Sequence, residues 1–371
     1  MRVAFLSVFY PYRGGIAQFN AHLCEAMGQD GEVRVFNFSR QYPDFLFPGK
    51  TQYVTEQDKA MPVESTRILD SINPFSWRRT AREILRWKPD IVVFSYWMSF
   101  FAPAFGCVAS ALRRRGVKCV TVVHNAIPHE PKFFDKPLAR WFFRKNDLLV
   151  SMCDAVTADI RSLCPDARII QRPHPVYDHF GQKQDKAAAQ AALSLKPGLR
   201  TLLFFGLIRD YKGLDLLIDA LPLLGDGYQL VIAGESYGSF EKYQAQIDAS
   251  GCAGRIHVLN RYIDDEEVPG LFSAADLCVL PYRSATQSGI TAIALHFDLP
   301  LVATPVGGLA ESIERPGIGL MTEAISAEAL ARSIKAFFET GPDTFVENIR
   351  RAKANMTWPA FAETLLAGLT R

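Results

Sequence analysis

Several features that identify metal, redox and secreted proteins are absent from this sequence of 371 residues. Its seven cysteines are scattered and form no C-x-x-C pair, so no zinc or dithiol centre is indicated and a reducing cytoplasm is the expected compartment. No D-x-D occurs, and no G-x-G-x-x-G follows the apolar runs at 3–8 and 202–205, which argues against a nicotinamide dehydrogenase. The apolar start of the chain is about seven residues long and lacks a small-residue cleavage site, which predicts a first strand rather than a signal peptide.

One uncharged stretch, residues 91–112, is long enough to cross a bilayer on length alone. Its first four residues follow a Lys-Pro-Asp turn, as a buried strand would, and Pro103, Gly106 and three serines interrupt the apolar character afterwards. We therefore interpret it as a strand followed by a helix, and the membrane-spanning alternative is the weaker one.

Hydrophobic residues make up 49% of the chain and charged residues 22%, which is typical of globular protein. A chain of this length suits two domains. Short apolar runs alternate with helical patterns in both halves, which predicts two doubly wound α/β domains built on parallel sheets. The runs lie at residues 3–8, 33–38, 91–94, 119–123 and 148–152, and then at 202–205, 229–233, 256–259, 277–280 and 301–303.

Three stretches break this alternation. Residues 42–76 are rich in Pro, Asn and Gln, and we expect a long surface excursion there. Residues 173–199 end in Lys-Pro-Gly and are interpreted as the passage between the domains. Residues 345–369 are helical in pattern, with an interruption at Trp358-Pro359.

The net charge of +2 conceals an asymmetry between the halves. Residues 1–178 carry 24 basic and 17 acidic side chains, whereas residues 179–371 carry 17 and 22. Basic clusters at 78–88 and 113–115 lie near tryptophans. They suit contact with an anionic membrane surface or an anionic acceptor, and solvated helix faces are the simpler explanation. No nucleic-acid-binding motif accompanies the charge.

The segment from 202 to 221 carries the clearest functional pattern. An apolar run ends at Gly206, Arg209 and Lys212 follow, and an amphipathic helical pattern begins at Leu214. Unpaired backbone N–H groups at a helix start, together with two cations, suit a diphosphate. The alternative is an Arg and a Lys on a solvated loop.

Five short motifs together resemble the GT4 (group 1) glycosyltransferases of GT-B fold. They are Gly14-Gly15 after the first strand, His124 in T-V-V-H-N, I-R-D-Y-K-G at 208–213, L-P-Y followed by S-G-I at 280–290, and T-P-V-G-G at 304–308. The resemblance implies a first Rossmann-like domain at 1–178 that binds the acceptor and a second at 179–345 that binds the nucleotide sugar. The two domains would face each other across a cleft. A last helix at 346–371 would pack back toward the first domain.

The resemblance also implies an activity. A retaining hexosyltransferase would use a UDP-sugar or GDP-sugar, without a metal ion or cofactor, and would transfer to a glycan, a lipid-linked acceptor or a small hydroxyl compound. Bacterial polysaccharide or glycoconjugate assembly would be the setting. The enzyme would act in the cytoplasm or at the inner face of the membrane, with peripheral contact through the basic first domain.

The residues that match the family's site fall into two groups. Arg209 and Lys212 would bind the diphosphate and stabilise the departing nucleotide, and His124 would lie near the transferred sugar. The other donor-site positions are Gly14, Gly15, Asn260, Tyr262, Thr286, Gln287, Ser288, Gly289 and Ile290.

Two departures from the family pattern stand out. The family has a pair of glutamates around the phosphate-binding glycine, whereas no carboxylate lies between Asp276 and Asp298 here. The family arginine stands five residues before the lysine, where this chain has Leu207. These departures keep a second hypothesis open, in which the chain is a catalytically silent GT-B protein that binds a nucleotide sugar or glycan as a partner subunit.

Overall fold

A computed structural model describes residues 1–43, 52–54, 61–128, 132–176, 180–236, 238–285 and 288–370. The chain divides into two compact units. The first comprises Met1–His174 and Thr357–Arg371, and the second comprises Pro175–Met356.

The first unit is built on a seven-stranded sheet in which every pair of neighbours is parallel. The strand order is β3-β2-β1-β4-β5-β6-β7. The strands are β1 (Arg2–Leu6), β2 (Glu32–Arg40), β3 (Ser65–Asp70), β4 (Ile91–Tyr96), β5 (Lys118–Val123), β6 (Leu148–Ser151) and β7 (Ile169–Gln171). The chain reverses its direction of winding between β1 and β4, and the carboxyl ends of the strands at such a point form the usual ligand crevice of this architecture.

Six α-helices complete the described part of the first unit. They are α1 (Gly15–Gly28), α2 (Pro74–Trp87), α3 (Ala102–Arg113), α4 (Asp135–Phe143), α5 (Asp154–Leu163) and, from the end of the chain, α14 (Trp358–Thr370). Helix α14 packs on α1, where the Trp358 and Phe361 rings contact Phe19 with centroids 5.1 and 5.6 Å away. The end of the chain is therefore part of the first unit.

The second unit has a six-stranded parallel sheet of order β10-β9-β8-β11-β12-β13. The strands are β8 (Arg200–Phe205), β9 (Tyr228–Ala233), β10 (Ile256–Leu259), β11 (Leu277–Leu280), β12 (Leu301–Ala303) and β13 (Gly319–Met321). The helices are α6 (Lys186–Ala192), α7 (Leu214–Leu224), α8 (Glu241–Ala249), α9 (Val268–Ala274), α10 (Gly289–His296), α11 (Leu309–Glu314), α12 (Ala327–Thr340) and α13 (Pro342–Lys353). Winding reverses between β8 and β11, so the loops that follow these two strands meet at the crevice.

The prediction of two parallel α/β domains is confirmed. The ten predicted strands are present because buried parallel strands appear in a sequence as short apolar runs. The uncharged stretch at 91–112 is β4 followed by α3. No helix in the described part of the chain is long and apolar enough to cross a membrane.

Several boundaries differ from the prediction. The predicted excursion at 42–76 contains β3 and the start of α2, and its residues 44–51 and 55–60 lie outside the described residues. The predicted passage at 173–199 contains α6, which packs on α9. The first division between the units falls between His174 and Pro175 rather than after 178. The second falls after Met356, so α13 stays with the second unit and Trp358-Pro359 begin α14 rather than interrupt a helix.

Candidate functional site

The turn after β8 carries both predicted phosphate-binding cations. Gly206 follows the strand with φ of +96°. Arg209 is extended and precedes a single 3₁₀ turn, Asp210–Lys212. Gly213, with φ of +64° and ψ of 30°, then leads directly into α7. Both glycines have backbone angles that side chains with a Cβ rarely adopt, so the path of this turn depends on them.

Lys212 is buried although it ends in an ammonium group, with only 9% of the residue exposed. Its Nζ lies 5.6 Å from the centre of the Tyr282 ring, and a Cβ on Gly206 would lie 3.2 Å from that nitrogen. No carboxylate contributes to its electrostatic surroundings in the described part of the chain. Burial, with a further contribution from the nearby Arg209 guanidinium, lowers the pKa of Lys212 from 10.5 to about 8. An anion bound here would compensate the buried charge.

The amino end of α10 lies against the same turn. Ser288 caps this helix, and its Oγ accepts a hydrogen bond from the Ile290 backbone N–H at 3.3 Å. The Tyr282 hydroxyl lies 3.2 Å from Ser288 Oγ. The Ile290 side chain would lie 3.2 Å from a Cβ on Gly206. Tyr282 therefore connects the lysine to the helix start, where N–H groups point out of the helix.

The space in front of α10 is open at Gly289. A Cβ built there would meet no atom of the described residues within 4 Å, so as far as these residues go a ligand oxygen has room to approach the start of the helix. The predicted site residues Thr286 and Gln287 lie outside the described residues.

Asn260 and Tyr262 follow β10, at the edge of the same sheet. The Asn260 side chain accepts a hydrogen bond from the Ser236 backbone N–H at 3.0 Å and so supports the loop after β9. Because β9 separates β10 from β8, the Asn260 loop lies roughly 10 Å across the sheet from the β8 turn. This separation suits the distance between the diphosphate and the base of one nucleotide.

In the first unit, Gly14 and Gly15 begin α1. Gly14 has φ of +120°, and its carbonyl oxygen accepts hydrogen bonds from Ala17 and Gln18 at 3.0 and 3.2 Å. Among the described residues, a Cβ at either glycine would meet nothing within 4 Å. The sequence did not indicate the role of Asn20, which is fully buried and donates hydrogen bonds to Ser7 Oγ and Val8 O at 3.0 and 2.9 Å. Asn20 thereby ties α1 to the loop after β1.

His124 directly follows β5, and its ring packs edge-on to Phe19 with centroids 4.8 Å apart. Its Nε2 and the Oδ1 of the neighbouring Asn125 are buried without a hydrogen-bond partner in the described structure. Burial, with a smaller effect of His174, lowers the pKa of His124 from 6.5 to about 3. The imidazole is therefore neutral at ordinary pH. A ligand could supply the missing hydrogen bonds to His124 Nε2 and Asn125 Oδ1.

Two family models match the chain. The one described as Glycosyltransferase Family 4 matches residues 13–177, and the one described as Glycosyl transferases group 1 matches residues 199–340. The chain belongs to the GT4 glycosyltransferases. The family prediction made from the five motifs is thus confirmed.

Solved structures agree with this assignment at the level of the fold. Anabaena Alr3699/HepE in complex with UDP superposes on this GT4 chain with a TM-score of 0.76, covering 100% of both chains at 16% identity. The sucrose-phosphate synthase of Thermosynechococcus elongatus superposes with a TM-score of 0.75, covering 99% of this chain and 97% of the other at 18% identity. The fold is GT-B, as predicted.

Curated relatives match over part of the chain. The D-inositol 3-phosphate glycosyltransferase of Mycolicibacterium gilvum (strain PYR-GCK) is 28% identical over 190 residues, which are 50% of this chain and 43% of the relative. The GDP-mannose:glycolipid 4-beta-D-mannosyltransferase of Xanthomonas campestris pv. campestris is 30% identical over 198 residues, which are 52% of this chain and 51% of the relative. The chain thus spans about half the length of the curated relatives that it matches.

The two departures from the usual GT4 pattern have structural counterparts. Leu207 stands at the usual arginine position, and 44% of it is exposed. Helix α10 carries no carboxylate, and Ala294 on it is completely buried. Among the described residues, no three His, Cys, Asp or Glu side chains are grouped as ligands for a metal ion.

Proposed function

We propose that this GT4 chain is a retaining glycosyltransferase that moves a hexose from a nucleoside diphosphate sugar to a hydroxyl acceptor. The observation that carries the proposal is the buried Lys212 ammonium, which has no carboxylate partner in the described structure and lies beside the open amino end of α10. A diphosphate suits both features, because it can pair with the ammonium and accept hydrogen bonds from the helix start.

In this proposal each donor-site element has one task. Lys212 and Arg209 hold the diphosphate and stabilise the negative charge that develops on it as the sugar departs. The Gly289 N–H group at the start of α10 binds the distal phosphate. The loop at Asn260 and Tyr262 contacts the base. The charge of the diphosphate is assigned to these protein groups rather than to a metal ion, and no cofactor is required.

The first unit would bind the acceptor. The open backbone at Gly14 and Gly15 gives a hydroxyl compound access to the start of α1. His124, held neutral by burial, would hydrogen-bond a sugar or acceptor hydroxyl through Nε2 rather than carry a charge.

The reaction proposed is a displacement on one face of the sugar. The acceptor oxygen forms a bond to the anomeric carbon while the bond from that carbon to the β-phosphate oxygen breaks. The acceptor proton passes to that phosphate oxygen, and the products are the glycoside and a nucleoside diphosphate. The leaving phosphate thus serves as the base, which suits an α10 region without a carboxylate.

The donor base is left as uracil or guanine. One structural neighbour is a complex with UDP, and one relative is named for GDP-mannose. The Xanthomonas relative is named for a glycolipid acceptor, and a further structural neighbour, WaaG, is a glycosyltransferase involved in lipopolysaccharide biosynthesis. We propose a comparable place for this chain, in polysaccharide or glycoconjugate assembly in the cytoplasm.

We further propose that the acceptor is lipid-linked and that the first unit contacts an anionic membrane surface. Helices α2, α3 and α4 are adjacent in that unit. They and their flanking turns expose basic and aromatic side chains that complement anionic lipid. These are Arg78, Arg79, Arg82, Arg86, Arg114, Arg115, Lys136, Arg140 and Arg144 together with Phe75, Phe133 and Trp141.

A second candidate function is a partner subunit that binds the nucleotide sugar without turnover. The missing glutamate pair favours it, because the usual carboxylate contacts to the transferred sugar and the ribose are absent. Thr286 and Gln287 are the neutral side chains nearest to the first of these positions in the sequence.

A thermal-shift and sugar-release screen separates the two functions. Wild type, Lys212→Ala and the control Lys335→Ala, whose lysine is exposed on α12, are tested against UDP, GDP and their sugars. We expect stabilisation by one nucleotide family, slow release of sugar, and loss of both in Lys212→Ala alone. Binding without release, even when acceptor mixtures are added, supports the partner subunit. No binding by wild type contradicts the phosphate site.

A further inference from the structure

The loop after β11 holds the phosphate turn from its outer side. The Arg283 backbone N–H donates a hydrogen bond to the Tyr211 carbonyl at 2.6 Å. The Pro281 carbonyl oxygen lies so close to Gly213 that a Cβ there would come within 2.0 Å of it. The turn and the loop are therefore in direct backbone contact at two places.

The Arg283 side chain adds a second set of contacts to the same turn. Its Nη1 donates a hydrogen bond to the Asp210 carbonyl at 3.2 Å, and its two terminal nitrogens bind both Asp215 oxygens at 2.7 and 2.6 Å. Asp215 is in the first turn of α7. One guanidinium thus spans the 3₁₀ turn from its first residue to the helix behind it, in the two-pronged geometry that only arginine provides.

Helix α8 completes the support. Lys242 pairs with the Asp210 carboxylate, and the Tyr243 hydroxyl lies 3.3 Å from the same group. These side chains line a surface cavity of about 450 Å³ together with Tyr211, Asp215, Gln246 and Arg283. The Lys212 ammonium is directed elsewhere, toward Gly206 and the Tyr282 ring.

We propose that Arg283 is a positioning residue that holds the 3₁₀ turn so that the Lys212 ammonium stays over Tyr282, ready to receive the diphosphate. The inference rests on the proposed function, because it assigns Arg283 a task only if Lys212 binds the donor.

The physical reason lies in the cost of the buried charge. An ammonium without a carboxylate partner is drawn toward water, and the turn that carries it is joined to the strand and the helix by two glycines with positive φ, which bend easily. Without a brace, the turn would relax outward and Lys212 would regain solvent. The Arg283 side chain opposes that movement through the Asp210 carbonyl and Asp215, in addition to the backbone hydrogen bond to the Tyr211 carbonyl that every Arg283 variant keeps.

The test compares Arg283→Ala, Arg283→Lys and Asp215→Asn with wild type. We expect kcat to fall about tenfold to a hundredfold in Arg283→Ala, as misplacement of a catalytic group by about 1 Å does, with a smaller change in KM. Arg283→Lys keeps the charge but not the two-pronged bond, so we expect it to recover only part of the loss. Asp215→Asn should lower kcat in the same direction.

A pH profile distinguishes positioning from general stability. In wild type, the affinity for UDP or GDP should decline above pH 8 as Lys212 loses its proton. In Arg283→Ala this decline should move to higher pH, because Lys212 returns to water. The titratable groups that face Lys212 do not interfere: burial raises the pKa of Cys278 to about 12 and raises that of Tyr282 as well.

The matched control is Arg255→Ala. Arg255 also braces a turn, donating to the Gly225 and Tyr228 carbonyls at 2.7 Å each and pairing with Asp226 at 3.4 Å. It acts at the start of β9, the opposite end of the strands from Lys212. We expect lower stability but an unchanged kcat and pH profile.

The outcomes separate this inference from the proposed function. If Lys212→Ala binds and turns over normally, the proposed role of Lys212 is wrong. If Lys212→Ala is defective while folded Arg283 variants keep the wild-type kcat and pH profile, the positioning role alone is overturned. If Arg283→Ala does not fold, Arg283→Lys and Asp215→Asn decide by the same two readouts. If the wild type shows no turnover, the pH dependence of its affinity for UDP or GDP still tests the positioning role.

Discussion

We expect the buried charge of Lys212 to lower the stability of the folded protein. Its pKa of about 8 in the folded chain, against 10.5 for an ordinary lysine, corresponds to a cost of about 3 kcal/mol for carrying the charge below pH 8. We therefore expect Lys212→Met, which has a similar length and no charge, to raise the free energy of unfolding at pH 7 by up to about 3 kcal/mol. The same variant should lose binding of nucleoside diphosphate.

The increase in the free energy of unfolding that Lys212→Met brings should become smaller as the pH rises. Between pH 8 and pH 10.5 the unfolded wild type binds more protons than the folded one, so its free energy of unfolding rises with pH in this window. Lys212→Met has no such group. The difference between the two proteins should therefore be largest at or below pH 7 and nearly vanish by about pH 11.

Calorimetry measures the thermal unfolding of both proteins. The transition that UDP or GDP shifts in wild type is the unfolding of the unit that contains Lys212, and this transition is the one to compare. Lys335→Met is the control, because that lysine is exposed on α12, and we expect it to change stability little at any pH. A Lys212→Met variant that is less stable than wild type at pH 7, or a difference that does not change with pH, would refute the reasoning.

Three further predictions concern other parts of the chain. His124→Gln should lower kcat without removing any titration near pH 6.5, because burial keeps the imidazole neutral down to about pH 3; an acidic limb near pH 6.5 in wild type that disappears in the variant would contradict this. Gly213→Ala should lower the free energy of unfolding by about 2–4 kcal/mol, because it combines positive φ with a clash at the Pro281 carbonyl; chemical denaturation measures the change, and an unchanged midpoint would show that the turn is less constrained than its geometry indicates. The pair Arg78→Glu and Arg82→Glu on α2 should weaken binding to vesicles that contain anionic lipid tenfold or more, and flotation equal to wild type would remove the electrostatic basis of the membrane proposal.

Every interior strand could be predicted from sequence, but of the four edge strands only β10 could. Strands such as β4 and β9 are buried at every residue, so they appear as apolar runs. The missed strands β3, β7 and β13 are the outer members of their sheets. They are short or only half-buried, and the apolar signal is correspondingly weak.

The position of a candidate site residue was predictable where it lies in a loop after a strand, and its role stays a prediction. Lys212 and Ser288 lie in the loops after β8 and β11 of the second unit, and His124 follows β5 of the first. Each parallel sheet brings the loops after its own strands to one edge. Arg283 and Asp215 are 68 residues apart, and their contact depends on β8 and β11 being neighbours with Leu277 opposite Leu202. No local pattern distinguishes Arg283 from the other arginines, so its role required the structure.

The missing carboxylates and the buried lysine are parts of one electrostatic arrangement. A glutamate on the first turns of α10 would lie near Lys212, raise its pKa and compete with a diphosphate for the ammonium. Without carboxylates between Asp276 and Asp298, the charge of Lys212 is left for an anionic ligand, and the cost appears as reduced stability of the unliganded protein. Ala294 lies eight residues after Thr286, at the spacing of the family's glutamate pair, and is completely buried. Introducing Glu at Ala294 should therefore not restore a more usual GT4 site. We expect Ala294→Glu to lower both stability and nucleotide affinity, and tighter nucleotide binding in that variant would show that the surrounding site still accommodates the family's usual carboxylate.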